Sequence, residues 1–250
     1  MIRLEGVSFA YPGGRQALRD VTADFADRRV TAVLGGNGAG KTTLFRCLLR
    51  SIRPQKGRIF LDDRPTDGMT GTELAAKIAY VPQKCDAPQG MTVTDFVLLG
   101  TMRTLAVWSQ PGKEQYRRAD SALDRMELTG LRNARMDEIS IGQRQMALIA
   151  RALAQQAEIL LLDEPVSALD FGNQRRFLDM ARQLKDEGHT VILSLHQPQL
   201  ALDYADGLLA LRSGSVAAQG GMECLTGALL RDLYGAEAEV RTIDGRRMII

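Results

Sequence analysis

Apolar residues fall at Ile2, Leu4, Val7 and Phe9, close to the every-second spacing of a half-buried strand, and "YPGG" follows as a turn. "VTAVL" (30–34) is a short apolar run without alternation, which predicts a strand buried on both faces. After Lys41 the spacing changes. Leu44, Leu48 and Ile52 recur four apart, the period of a helix face, and the helix is expected to stop before Pro54. "RIFL" (58–61), "IAYV" (78–81), "EILLL" (158–162), "TVILSL" (190–195) and "GLLAL" (207–211) predict further strands. Helical patterns separate several of them, so the pattern predicts an α/β fold with a mostly parallel sheet and helices on both faces.

Residues 92–139 depart from this rhythm. "TVTDFVLLG" and "EQYRRADSALDRMEL" are amphipathic, the second placing Tyr116, Ala119, Leu123 and Met126 on one stripe. "AVWSQPGK" between them reads as a loop. The segment is expected to be a helical insertion between two strands of the core, not an independent domain. No internal repeat or low-complexity stretch interrupts the chain, and the Arg-rich tail "RTIDGRRMII" reads as a solvated end.

Composition narrows the function classes. With 250 residues, 45% hydrophobic and 25% charged, the chain has an ordinary globular balance. A net charge of +2 without a Lys/Arg block offers no electrostatic footprint for nucleic acid. Cys47, Cys85 and Cys224 are odd in number and far apart, which fits neither a zinc site nor a disulfide framework and suggests a reducing compartment. "MIRLEGVSF" has neither a basic n-region nor an apolar h-region, and no apolar run approaches the roughly 20 residues of a bilayer span. A cytoplasmic protein able to dock on a membrane partner is expected.

The candidate chemistry starts at "GGNGAGKTT" (35–43). Gly35-x4-Gly40-Lys41-Thr42 fits the phosphate-loop pattern, with a buried strand before it and an amphipathic helix after it. Glycines let backbone N–H groups of Gly35, Gly36, Asn37, Gly38, Ala39, Gly40, Lys41, Thr42 and Thr43 converge on phosphate oxygens, and the helix N-terminus adds its positive end. On this reading the bare backbone serves phosphate and not packing; the bland alternative is a glycine turn between strand and helix. Lys41 is expected at the β/γ-phosphates and the Thr42 hydroxyl on Mg²⁺. "ILLLDEP" (159–165) places Asp163 and Glu164 at the end of a buried strand, where open α/β sheets hold ligands. Asp163 then holds Mg²⁺ through its water shell and Glu164 acts as general base; the alternative is an N-cap for the next helix. His196 in "SLHQPQ" is placed to orient the water, whereas His189 reads as an ordinary satisfied polar group.

"ISIGQRQMALIARAL" (139–153) resembles the LSGGQ signature helix of ATP-binding cassette (ABC) ATPases, and lies upstream of "ILLLDEPVSALD" as in that family. Tyr11 matches the aromatic residue that stacks on adenine, Gln83 in "YVPQ" the Q-loop glutamine, "SALD" with Asp170 the D-loop, and His196 the switch histidine. The resemblance covers essentially the whole chain. It implies a P-loop NTPase with a RecA-like core, an N-terminal antiparallel β-subdomain and an α-helical insertion subdomain. The whole of 1–250 is then one nucleotide-binding domain, its core about 1–83 and 150–250 and its helical part about 84–149. It also implies ATP and Mg²⁺ as cofactors, with Thr42, Gln83 and Asp163 around the metal and Lys41, Gln83, Glu164 and His196 in catalysis. Two copies of the chain would pair head to tail, so that Ser140, Gly142 and Gln143 meet the γ-phosphate bound by the other copy. Membrane permease subunits are the implied direct partners, with a periplasmic or extracellular substrate-binding protein acting indirectly and no nucleic acid. The implied place is the cytoplasmic face of the membrane. One position departs from the pattern: Ile141 stands where LSGGQ has its first glycine, which is expected to reduce the rate without abolishing it.

Within the family, "TVTDFVLLG", "ALIARALAQ", "LDFGNQ" and "LHQPQLALDYAD" look most like the ATPases of metal-chelate importers, whose substrates include siderophores, haem and cobalamin, with metal-oxyanion carriers close by. The Arg and Pro-His usual after "VLLG" are replaced by "TMRTLAVW". Two other classes stay open at this point. One is a soluble ABC ATPase acting in cofactor assembly or on nucleic acid; the other is a degenerate regulatory subunit, which rests on Ile141 alone.

Overall fold

The structure, a computed structural model, describes residues 1–83, 89–104 and 109–250; Cys85 and part of the expected loop at 106–113 lie outside the described residues. The chain opens with β1 (Ile2–Ala10), β2 (Gln16–Phe25), β3 (Val30–Leu34), α1 (Lys41–Leu48), β4 (Lys56–Leu61) and β5 (Arg64–Pro65). It continues through α2 (Gly71–Lys77), β6 (Ile78–Val81), α3 (Val93–Leu98), α4 (Lys113–Arg125), α5 (Ile141–Ala154), β7 (Ile159–Leu162) and α6 (Phe171–Asp186). The last part holds β8 (Thr190–Ser194), α7 (Pro198–Tyr204), β9 (Gly207–Arg212), β10 (Ser215–Gly221), α8 (Gly227–Tyr234), β11 (Val240–Ile243) and β12 (Arg246–Ile249). These elements form two compact units, one of Met1–Thr70 with Leu178–Ile250, the other of Gly71–Phe177.

In the first unit β3 runs parallel to both β8 and β9, and β10 returns antiparallel along β9. Every residue of β3 and of β8 is buried, as a continuous apolar run in a parallel sheet requires. A second, antiparallel sheet has the order β2-β1-β4-β5. The break in spacing between Leu4 and Val7 is a β-bulge: Leu4 pairs with Ala23 and Val7 with Val21, so three residues of one strand advance against two of the other. The bulge restores the inward phase, leaving Leu4 and Val7 fully buried. Strand β2 has no counterpart among the expected elements, because its apolar positions slip in the same way from Leu18 to Val21 across the polar pair Arg19-Asp20.

Two expectations for this unit gain detail. Helix α1 stops at Leu48, short of Pro54, because Arg50 adopts a left-handed conformation (φ 54°) and the Ser51 amide closes back on the Arg46 carbonyl at 2.9 Å. The tail is exposed over most of its length, as expected of a solvated end, but it is ordered as a β11–β12 hairpin turned at Asp244-Gly245, both with positive φ. It is tied down by the Ile249 amide to Gln199 Oε1 (2.9 Å) and by the Arg247 guanidinium to the Met222 and Leu225 carbonyls.

In the second unit β6 and β7 pair in parallel, Ile78 opposite Ile159. Helices α3, α4 and α5 come between these two strands in the chain and pack against one another. Thr92 caps α3 through the Asp95 amide. The buried stripe of α4 is Ala119, Ala122, Leu123 and Met126, whereas Tyr116, in the first turn, remains exposed.

Candidate functional site

In the first unit the loop 35–40 joins the buried strand β3 to α1. Gly40 is the N-cap of α1, which has no side-chain cap and no acidic residue in its first turn. Its orphan N–H groups and positive dipole end suit an anion. Lys41 is 6% exposed, and its ammonium donates to the Gly35 carbonyl at 2.7 Å and more weakly to that of Gly36 at 3.5 Å. The cation is thus already folded inside the loop it is expected to complete.

Two of the glycines have a reason beyond phosphate, which corrects the reading that packing has no part here. A Cβ on Gly35 (φ +153°) would lie 2.4 Å from the Leu211 carbonyl oxygen, and one on Gly40 (φ +109°) 2.6 Å from that of Ala17. Both the backbone conformation and the close approach exclude a side chain at these positions.

Tyr11 sits beside the loop with its ring set edge-on to Phe9, centroids 4.9 Å apart. Its hydroxyl is 3.3 Å from Thr43 Oγ1 and 3.4 Å from an Arg46 guanidinium nitrogen. Thr42 is half-buried, while Asn37 and Gly38 are exposed at the loop tip. His196 lies exposed just past the end of β8.

In the second unit Asp163 and Glu164 follow β7 and are both buried, at 1% and 7% exposure. The Asp163 amide donates to the Val81 carbonyl at 2.8 Å, fixing the carboxylate beside the end of β6. Glu164 takes a left-handed conformation (φ 51°), uncommon for a residue with a side chain and concentrated at functional positions. The amide and hydroxyl of Ser167 hold the Glu164 carbonyl, at 3.2 and 2.9 Å. The Gln83 side-chain amide donates to Glu164 Oε2. Neither acidic residue caps the following helix, because Asp170 does so, accepting from the Asn173 amide at 2.9 Å. That removes the N-cap alternative for the Asp-Glu pair.

Ser140 and Gln143 form a capping box at the start of α5: Ser140 Oγ accepts the Gln143 amide (3.2 Å) and Gln143 Oε1 accepts the Ser140 amide (2.9 Å). Gly142 faces residues 168 and 169, where an added Cβ would meet the Ala168 carbonyl at 3.6 Å. The signature start and the "SALD" segment are therefore neighbours. Ile141 is 70% exposed and packs on nothing that its removal would open.

Among the described residues no three His, Cys, Asp or Glu side chains group as a metal cage. The expected donors Thr42, Asp163 and Gln83 offer only oxygen, the chemistry of a hard cation such as Mg²⁺, which uses few protein ligands and completes its shell with water and phosphate. Sequence reasoning missed two contacts at the phosphate loop: Leu233 and Tyr234, at the end of α8, lie against Gly36 and Gly35. Nothing in their spacing marks them, since only the tertiary fold brings α8 there.

A family model described as ABC transporter matches residues 18–167. The chain belongs to this family. It is an ABC ATPase, binding and hydrolysing ATP, and its α/β fold with an antiparallel β-subdomain and helices is that of the family's cassettes. The manganese transport system ATP-binding protein MntB of Listeria innocua serovar 6a is 36% identical over 218 residues, covering 86% of this chain and 88% of that protein. The ferric enterobactin transport ATP-binding protein FepC of Escherichia coli K12 is 34% identical over 236 residues, covering 93% of this chain and 87% of that one. Among solved structures, a transporter assigned to the metal-chelate type, in an inward-facing conformation, aligns with TM-score 0.85 and 30% identity over 100% of this chain and 95% of its own.

Proposed function

We propose that this ABC ATPase drives an importer, hydrolysing ATP as a head-to-tail pair of copies docked on membrane permease subunits. The observation that supports it most is the Glu164 carboxylate, buried at a strand end, left-handed in its backbone and gripped by the Gln83 amide. Glu164 takes the proton of the attacking water, a role worth about 10²–10⁴ in rate. Lys41 leaves the Gly35 carbonyl for the β/γ-phosphates, and the N-terminus of α1 faces the same charge. His196 orients the water. Bound through Thr42, Asp163 and Gln83, Mg²⁺ would neutralise charge on the phosphates. Ser140, Gly142 and Gln143, at an exposed helix start, meet the ATP held by the other copy.

The cargo is a metal chelate such as a siderophore, haem or cobalamin, or a metal oxyanion. The relative named for ferric enterobactin and the metal-chelate type transporter support that class, while the relative named for manganese supports a metal cargo in general. No helix among the described residues is long and apolar enough to cross a membrane. In this proposal the chain sits on the cytoplasmic face through its permease, with the helical segment of about 84–149 carrying the coupling and a substrate-binding protein acting on the far side. Affinity purification of the tagged chain from membranes tests this. A polytopic membrane protein whose presence makes ATP turnover respond to a metal chelate is expected; a soluble partner in its place would overturn the transport reading.

A further inference from the structure

Helix α8 lies outside residues 18–167, the span matched by the family model, yet its end rests on the phosphate loop. A Cβ on Gly36 would come 3.2 Å from the Leu233 carbonyl oxygen. The next residue, Tyr234, turns its hydroxyl inward, where it is buried and has no hydrogen-bond partner among the described residues. Burial pushes the phenol pKa up, and the facing backbone amide of Gly35 pulls partly against that shift. On the other side of the same glycine, Lys41 holds the carbonyl at 2.7 Å.

Gly35 is therefore gripped at its carbonyl by Lys41 and approached at its amide by Tyr234. When Lys41 turns to the phosphates, the carbonyl loses a charge-assisted bond. The amide side, which the Tyr234 hydroxyl faces, is then placed to help hold the entry to the loop. Helix α8 is a firm base for this. Asp232 pairs with Arg212 at the end of β9, Gly235 closes the helix in a left-handed cap, and Arg247 of the terminal hairpin holds the Leu225 carbonyl at 2.9 Å, just ahead of α8.

We propose that Tyr234 is a positioning residue for ATP: its buried hydroxyl accepts the Gly35 amide once Lys41 has moved to the phosphates, and so the C-terminal segment holds the phosphate loop in its binding shape. This rests on the reading of residues 35–43 as the ATP phosphate loop. The test is Tyr234→Phe, which keeps the ring and removes only the hydroxyl. Titration with a fluorescent N-methylanthraniloyl ATP should show affinity reduced about three- to tenfold, the value of one net hydrogen bond. KM for ATP should rise more than kcat falls, and the thermal midpoint without nucleotide should hold or rise, because a buried hydroxyl lacking a partner costs desolvation with no bond in return. Unchanged affinity and KM in a variant whose midpoint is not lowered would overturn the proposal. Failure of the wild-type chain to bind the nucleotide would instead sink the ATP site on which it rests.

Discussion

Replacing Ser140 by Asp separates two roles that coincide at the start of α5. The Ser140 hydroxyl and the Gln143 side chain cap each other's backbone amides at 3.2 and 2.9 Å, so the pair has a purely structural use. Ser140→Ala should remove one cap bond and destabilise by about 1 kcal/mol. For a chain of this length that lowers the thermal midpoint by about 2–4 °C. Ser140→Asp should hold the midpoint, because Asp caps as well as Ser and its charge favours a helix N-terminus. Its effect on turnover is opposite. A carboxylate about 4 Å from a phosphate charge is repelled by about 4 kcal/mol at an effective dielectric near 20, a loss on the order of a thousandfold. The assay is ATP hydrolysis beside differential scanning calorimetry, at protein concentrations that populate the pair. A Ser140→Asp chain with both wild-type midpoint and wild-type turnover would refute the contact in trans and leave Ser140 as a cap alone.

Glu164→Gln should keep ATP binding and slow hydrolysis by about 10²–10⁴, accumulating an ATP-bound dimer on gel filtration; a wild-type rate would remove Glu164 as the base. Lys41→Ala should weaken ATP binding and also free the Gly35 carbonyl, so unchanged affinity in a fluorescent-nucleotide titration would contradict its role. Burial pushes the Cys47 thiol up to about 12, so the group stays protonated at pH 8 and iodoacetamide should modify it only after denaturation; rapid native labelling at Cys47 would contradict its burial. Ile141→Gly should raise turnover or ATP-driven dimerisation. Its stability should fall by no more than the helix-propensity difference of about 1 kcal/mol, since the 70% exposed side chain leaves no cavity. Normal stability with unchanged turnover would make the altered signature neutral.

The strands that a sequence pattern exposes are those whose burial is uniform. VTAVL, IAYV and ILLL appear at their expected places because each residue of β3 and β7, and three of four in β6, is buried, leaving no phase to mistake. The antiparallel sheet is harder to read. β1 changes phase between Leu4 and Val7 and β2 between Leu18 and Val21, the latter over exposed polar residues, so no single alternation runs through either strand. The early end of α1 was hidden for a related reason. Arg50 has no propensity that announces a left-handed cap, and only the Ser51 amide bonding back to the Arg46 carbonyl reveals it.

The site motifs were legible because their chemistry restricts residue type and spacing together, yet the structure gives some of the same residues a second constraint. Gly35 and Gly40 suit a phosphate loop, and the carbonyls of Leu211 and Ala17 pressed against them independently require glycine. Ser140 and Gln143 suit a γ-phosphate and also close a capping box. A motif letter therefore underdetermines its reason. The loss of activity on replacing Gly40 with Ala would not by itself implicate phosphate, because a Cβ 2.6 Å from the Ala17 carbonyl displaces the loop before nucleotide arrives. Ile141 is the useful contrast: it sits inside the signature, touches no backbone that forbids a side chain, and is exposed. What its replacement changes in turnover can be assigned to the contact between copies, which the glycines of the phosphate loop cannot offer.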